Sequence, residues 1–249
     1  MIKLKSESDI GKIRDSCDIL SETYREIVKM VDVGVSLLEI DNFTRDFIRK
    51  RGGKPAFLGY QGFPASICIS VNSVVIHGIP DKRKLKAGDI VSLDLGVDLN
   101  GYISDAACTV AVGPISKEVE TLLRVTKECL QLGIEQARAG NRIKDISSAV
   151  YDHADEHGFG VVRQFCGHGV GFSLHEDPQI PNYVGPGPNP RLKGGMVLAI
   201  EPMINLGSDE VEILDDGWTV ETVDHSLSAH FEHTVAVFKD HTEILTALP

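Results

Sequence analysis

Two strand-like runs, Ile90–Val97 and Tyr102–Val112, stand on either side of Asn100-Gly101. Both residues of that dipeptide tolerate positive φ, which the tight turn matching strand twist demands, so an antiparallel hairpin is predicted here. A two-residue turn also sets the register, with residue 99 facing 102 and residue 96 facing 105. Asp94 and Asp105 then share one face as diagonal neighbours, their Cβ atoms roughly 7 Å apart and Gly96 leaving room between them. Two anions on the inner face of apolar strands are costly unless something positive separates them. One or two divalent cations would do so; a hairpin face turned to water is the plainer alternative.

Elsewhere the chain reads as helices followed by strands, twice over. Ile10, Ile13, Cys17, Leu20, Tyr24, Ile27 and Val31 keep the three/four spacing of one buried helix face. After Gly34, Ser36 caps a second helix carrying Leu37, Ile40, Phe43 and Phe47, which Arg51-Gly52-Gly53 stops. Ser66–Val71 and the hairpin follow as strands. In the second half Ser116 opens a helix through Val119, Leu122, Val125 and Cys129, Gly140 breaks the pattern, and Ile143–Glu156 makes a shorter helix ending at Gly158. A shift of 106 residues lays Gly34 on Gly140, Leu37 on Ile143, Ile40 on Ile146 and Gly52 on Gly158. This predicts two related helix-helix-sheet halves, about 1–113 and 114–249, within a single α+β domain. Strands are predicted again at Val197–Met203, Val211–Leu214, Trp218–Thr222 and Glu232–Phe238, with Asp216-Gly217 as a further hairpin turn.

Composition excludes several classes. Lys+Arg total 25 against 36 Asp+Glu, a net charge of −11, which argues against a general binder of nucleic acid or anionic membrane. Hydrophobic residues are 42%, enough for a core, yet no apolar run approaches the roughly 20 residues of a membrane-spanning helix. The start, MIKLKSESDIGKIRDS, has no apolar stretch of the signal-peptide kind. Five cysteines (Cys17, Cys68, Cys108, Cys129, Cys166) show no C-x-x-C spacing and are expected as reduced, mostly buried thiols in a cytoplasmic protein.

Three further acidic or imidazole sites join the two aspartates. Glu201 sits in Met196-Val-Leu-Ala-Ile-Glu-Pro-Met and Glu232 in Ser228-Ala-His-Phe-Glu-His-Thr, neither run holding a lysine or arginine to neutralise it. Edge placement is their plainer explanation. His168 is flanked by glycines in Phe165-Cys-Gly-His-Gly-Val-Gly and is followed by His175-Glu-Asp-Pro, both histidines in chain that reads as irregular. The glycines do not open a helix, so a dinucleotide loop is a weak reading. Carboxylate-rich sets with a single imidazole suit Mn²⁺, Fe²⁺ or Co²⁺ better than a closed structural zinc.

His77-Gly-Ile-Pro, Asp94 and Asp105 at a spacing of 11, Cys166-Gly-His168-Gly, His175-Glu-Asp-Pro, Ala199-Ile-Glu201-Pro and Ser228-Ala-His-Phe-Glu232-His-Thr together resemble type I methionine aminopeptidases, over essentially the whole chain. The resemblance implies the pita-bread fold of the creatinase/aminopeptidase class, two pseudo-symmetric halves around a curved antiparallel sheet. It implies a dinuclear site with Asp94, Asp105, His168, Glu201 and Glu232 as ligands, Asp105 and Glu232 bridging. His77 and His175 would contact substrate at the scissile bond, with Glu201 as general base. Phe57, Tyr60, Phe63, Cys68, Leu174 and Trp218 would line the methionine pocket. The implied activity is removal of the initiator methionine from nascent proteins whose second residue is small. Only 31 residues separate Glu201 from Glu232, which points to type I rather than to the type II enzymes with their helical insertion.

One departure is Phe172, where many members carry a basic residue, and it is expected at the rim of the cleft. A Pro-specific exopeptidase of the same fold and a catalytically dead binding module are the competing readings; the second would have lost ligands that this chain keeps. His153 and His157 are expected on a solvated helix face, with no H-E-x-x-H context. Lys82-Arg83-Lys84-Leu85-Lys86 reads as a solvated loop with a weak ribosome contact as the bolder alternative. His230 and His233 flank Glu232, and one of them is a candidate to orient a metal ligand. No membrane partner is expected, and the chain is expected to be monomeric.

Overall fold

The computed structural model describes residues 1–246. They form the helices α1 (Glu7–Met30), α2 (Leu37–Lys50), α3 (Lys117–Gln136) and α4 (Ile143–Glu156). The strands are β1 (Lys54–Pro55), β2 (Cys68–Val71), β3 (Val74–Ile76), β4 (Ile90–Leu99), β5 (Tyr102–Ala111), β6 (Gly160–Val161), β7 (Cys166–Gly169) and β8 (Glu176–Pro181). After them come β9 (Val197–Ile200), β10 (Met203–Asn205), β11 (Val211–Ile213), β12 (Val220–Thr222), β13 (Ser228–His230), β14 (Glu232–Val237) and β15 (Thr242–Ile244).

Local chemistry explains where the helices begin. Ser6 and Ser36 each accept a backbone N–H three residues on, while Asp9 and Glu39 reach back to the serine N–H, so both capping boxes are closed. The internal offset is visible in the elements themselves. α2 and α4 begin at residues 37 and 143, and α1 and α3 end at 30 and 136. Gly34 and Gly140 both have positive φ, +89° and +102°, where the chain turns between paired helices. Each second helix is also preceded by an isolated bridge, Ser36 to Lys84 and Arg142 to Arg191.

The main sheet runs β1-β4-β5-β14-β9-β7-β8, with β2 added on β4 and β15 on β14, all pairs antiparallel. The β4–β5 hairpin has the predicted register, Gly96 opposite Asp105 and Asp94 opposite Ala107, with Asn100 at φ +55° and Gly101 at +85°. Helix α1 packs against β4 and β5, and α3 and α4 pack on each other. A continuous core joins Leu20, Tyr24, Ile27, Leu93, Leu95, Leu122, Val125 and Leu198, all fully buried. Each such side chain contributes roughly 1.5–3 kcal/mol by leaving water.

Two strand readings need correction. Val197–Met203 is not one strand but two, β9 and β10 lying in different sheets, because Pro202 has no N–H to continue a ladder. His168 does not lie in irregular chain: it belongs to β7, buried between β8 and β9, and His175 immediately precedes β8. Glycine-rich text carries no hydrophobic alternation, so this strand shows only through its partners.

Tyr24 ties helix to sheet. It is fully buried, and its hydroxyl lies within hydrogen-bond distance of the carbonyl oxygens of Leu93, at 2.9 Å, and Ala106. Tyr24→Phe is expected to lower stability by about 1–2 kcal/mol, read as a lower urea midpoint with an unchanged slope.

Candidate active site

Five adjacent strands of the main sheet bring one group each to a common place. Asp94 projects from β4, Asp105 from β5, Glu232 from β14 and His168 from β7, while Glu201 directly follows β9. Ligand atoms of Asp105, His168 and Glu232 lie within 4.8 Å of one another. Glu201 joins them, its Oε1 3.4 Å from His168 Nε2, and Asp105 Oδ2 is 3.8 Å from the same nitrogen. Thr234 pins β5 to β14 here, accepting the Asp105 N–H at 3.0 Å and donating to the Asp105 carbonyl at 2.6 Å.

The electrostatics of this cluster are those of acceptors facing acceptors. Burial and the neighbouring carboxylates push Asp94, Glu201 and Glu232 well above the ordinary carboxylate range, and burial raises Asp105 to about 8. Asp94 Oδ1, Asp105 Oδ1 and Glu232 Oε1 are buried without a hydrogen-bond donor. His168 Nδ1 lies 3.0 Å from the Gly169 carbonyl, so it carries the proton and leaves the Nε2 lone pair directed at the carboxylates. Burial lowers the pKa of His168 to about 3, so a proton on Nε2 does not resolve the clash. Carboxylate oxygens and one imidazole nitrogen aimed at a shared point fit a divalent cation.

Beside the cluster lies a cavity of about 210 Å³, lined by Phe57, Tyr60, Gln61, Phe63, Cys68, Ile76, His77, Phe165, Cys166, Leu174, His175 and Trp218 together with Asp94, Asp105, His168, Glu201 and Glu232. Every residue singled out from sequence for metal or substrate is therefore in one site. Phe63 and Trp218 meet edge to face at 5.1 Å. His175 stands over His168 with ring centroids 4.3 Å apart, and its Nδ1 is 2.8 Å from the Tyr60 hydroxyl. His77 is held at φ +59° beside Gly78, where a Cβ would come within 2.3 Å of the Ile69 carbonyl oxygen. That close approach of the chain to β2 turns the imidazole toward Phe165, 5.7 Å away and perpendicular, and burial lowers its pKa to about 4.

Other residues settle as follows. Phe165, Cys166, Gln61 and Ile76 line the cavity without having been singled out; Phe165 and Cys166 precede His168 in the same motif, the one sequence signal available. His230 is 1% exposed with Nε2 3.4 Å from Glu201 Oε2, whereas His233 bonds Thr246. Phe172 is absent from the cavity wall; its ring lies against Tyr102 and over Lys5. His153 is paired with Glu128 at 2.8 Å and does not line the cavity. The cysteines are free, four of them buried and Cys166 partly exposed.

A sheet-borne acceptor cluster of this kind defines a candidate divalent-metal centre, and comparison with known proteins supplies the reaction class. Residues 11–239 match the model of metallopeptidase family M24, and the chain belongs to that family. It is 54% identical over 247 residues to a methionine aminopeptidase of Treponema pallidum, covering 99% of this chain and 96% of that protein. The crystal structure of methionine aminopeptidase from Rickettsia prowazekii superposes with a TM-score of 0.96 at 41% identity, covering 99% of this chain and 100% of that one. The prolidase of Pyrococcus furiosus shares the fold alone, with a TM-score of 0.82 at 24% identity over 66% of its length. The architecture is thus the pita-bread fold, and the chain is a metallopeptidase that uses divalent metal.

Stability of the metal-free chain follows from the raised carboxylates. A carboxyl whose folded pKa exceeds its unfolded value near 4 binds its proton more tightly when folded, so its contribution is lost as pH rises through the folded value. The buried histidines act oppositely, but their dependence ends near pH 7, where the unfolded imidazoles are already neutral. Between pH 7 and 9 the chelated protein is expected to lose thermal stability through the Asp105 carboxyl and its neighbours. Saturating Mn²⁺ should abolish that slope; an identical slope with and without metal would contradict this account of the cluster.

Proposed function

We propose that this chain removes the amino-terminal methionine from nascent proteins whose second residue is small, using two divalent ions held by Asp94, Asp105, His168, Glu201 and Glu232. The observation carrying the reading is the juxtaposition of an uncompensated acceptor cluster with an aromatic-lined pocket of about 210 Å³. The strong likeness to proteins named methionine aminopeptidase supports it. Mn²⁺, Fe²⁺ and Co²⁺ are the ions such a donor set favours.

Divalent ions held by these residues would lower the pKa of a water and polarise the scissile carbonyl. Glu201 takes the water proton and passes it to the leaving amine nitrogen. His230, with Nε2 3.4 Å from Glu201 Oε2, is placed to orient that carboxylate. The Tyr60 hydroxyl donates to His175 Nδ1, leaving Nε2–H to donate to the carbonyl oxygen as negative charge develops there. His77 holds the amide that follows the scissile bond. Phe57, Tyr60, Phe63, Cys68, Leu174 and Trp218 enclose the thioether, whose polarizable sulfur suits aromatic edges. The acceptor cluster also receives the free α-amine, which an internal peptide cannot offer.

No helix among the described residues is long and apolar enough to cross a membrane. We place the chain in the cytoplasm as a monomer, one catalytic unit over its whole length. Its exposed Lys82, Arg83, Lys84 and Lys86 offer a weak contact to ribosomal RNA, with Leu85 buried beneath them.

The test is methionine release from Met-Ala-Ser by chelated protein restored with Mn²⁺ or Co²⁺. Release is expected from the free-amine peptide and not from its N-acetylated form or from Pro-specific substrates, and Asp105→Ala should abolish it. His175→Ala should lower kcat by about 10²–10³-fold. A folded chain that releases nothing with either metal would favour the binding-module reading instead.

A further inference from the structure

The segment ahead of α1 is tied to the turn that delivers His175. Lys5 Nζ and Glu176 Oε2 are 2.7 Å apart, their side chains 1% and 3% exposed. The second oxygen, Oε1, accepts the backbone N–H of Phe172 at 2.7 Å and of Ser173 at 2.9 Å. One carboxylate therefore holds both the turn and the lysine. Gly171 lies flush against the same lysine: a Cβ there would stand 3.0 Å from Lys5 Cε and 2.7 Å from Ile13 Cδ1. The ring of Phe172 closes over the ammonium, its centroid 5.3 Å from Nζ, and meets Tyr102 edge-on at 6.0 Å. Lys5 also donates its own N–H to the Gly195 carbonyl at 2.7 Å, just before β9 and Glu201.

Stability is a weak reason for such a pair, since a buried ion pair is often replaceable by apolar side chains at no loss. Geometry is a better one. Three hydrogen bonds to one buried carboxylate, two from consecutive backbone amides, fix the course of residues 171–175 far more tightly than apolar packing would. Leu174 and His175, which leave that turn, both enter the cavity. Neither Lys5 nor Glu176 lines it.

We propose that Lys5 and Glu176 are positioning residues for His175, a buried ionic truss that holds the turn so that the imidazole meets the reacting carbonyl. This rests on the reading of His175 as the donor to the developing oxyanion. The ring of Phe172 covers the Lys5 ammonium and so helps to shield the truss from water.

The test uses the Mn²⁺-loaded full chain and Met-Ala-Ser. Lys5→Met is expected to lower kcat about tenfold or more, because small displacements of a catalytic group are expensive. KM and bound manganese should stay within about twofold of the parent, which a general loosening of the fold would not spare. In a His175→Ala background, Lys5→Met should change kcat no further. An unchanged kcat in the folded single variant, or a loss that multiplies with that of His175→Ala, would overturn the proposal. If His175→Ala alone retained full kcat, the role of His175 would fail and the truss with it, a result distinct from multiplying losses. Glu176→Gln, isosteric with the parent, gives the same comparison should Lys5→Met fail to fold.

Discussion

Four carboxylates and an imidazole lone pair line one cavity against the main sheet, and none of the residues lining it is a lysine or arginine. Left to themselves these groups repel one another and resist burial, as their raised carboxyl and lowered imidazole pKa values record. Such a cluster persists only where the backbone beneath it is stiffer than the repulsion is strong. The spatial order β4-β5-β14-β9-β7 supplies that stiffness, each strand committing one ligand through a hydrogen-bonded ladder. The bracing by Thr234 joins β5 to β14, two strands far apart in the chain. A bound cation would convert the repulsion into attraction, and metal binding to such a cluster is expected to couple to pH and stability.

The rest of the molecule supports that face in two different ways. Behind it, paired helices of each half bury the apolar side of the sheet, and the fully buried Leu, Ile and Val side chains there offset the cost of an anionic front. Around it, shorter segments aim side chains with local devices: the left-handed backbone at His77, the close approach at Gly78, and the turn before His175 gripped by Glu176. The first support is generic to a sheet covered by helices. The second is specific to a reaction whose donors must meet one carbonyl.

Much of this was legible before any coordinates. The Asn100-Gly101 turn yielded a correct register for ten pairs of residues, because a two-residue loop leaves no slack. Helix starts at Ser36 and Ser116 and the 106-residue offset follow from capping and glycine chemistry, which act within a few residues. The errors came where distant partners decide. β7 has no alternation to read, since Gly167 and Gly169 lie so close to neighbouring strands that a Cβ would meet the carbonyl oxygens of Ala199 and Asp177. Phe172, expected at the rim of the cleft because it follows His168, lays its ring against Lys5, which is 167 residues off in the chain.

What the sequence determined by itself was the inventory and its local geometry. It held acids embedded in apolar strands without counter-charges, a hairpin of fixed register, two similar helix pairs and motifs shared with a metallopeptidase family. Only the tertiary structure decided that these five groups line one cavity, that Glu201 directly follows a strand rather than occupying its middle, and that His230 rather than His233 faces it. It also decided that Lys5 is a buried partner of Glu176 rather than one more surface charge. Side-chain type and local spacing are properties of neighbours along the chain, whereas convergence and burial depend on contacts between segments far apart in it, and those exist only once the sheet has closed.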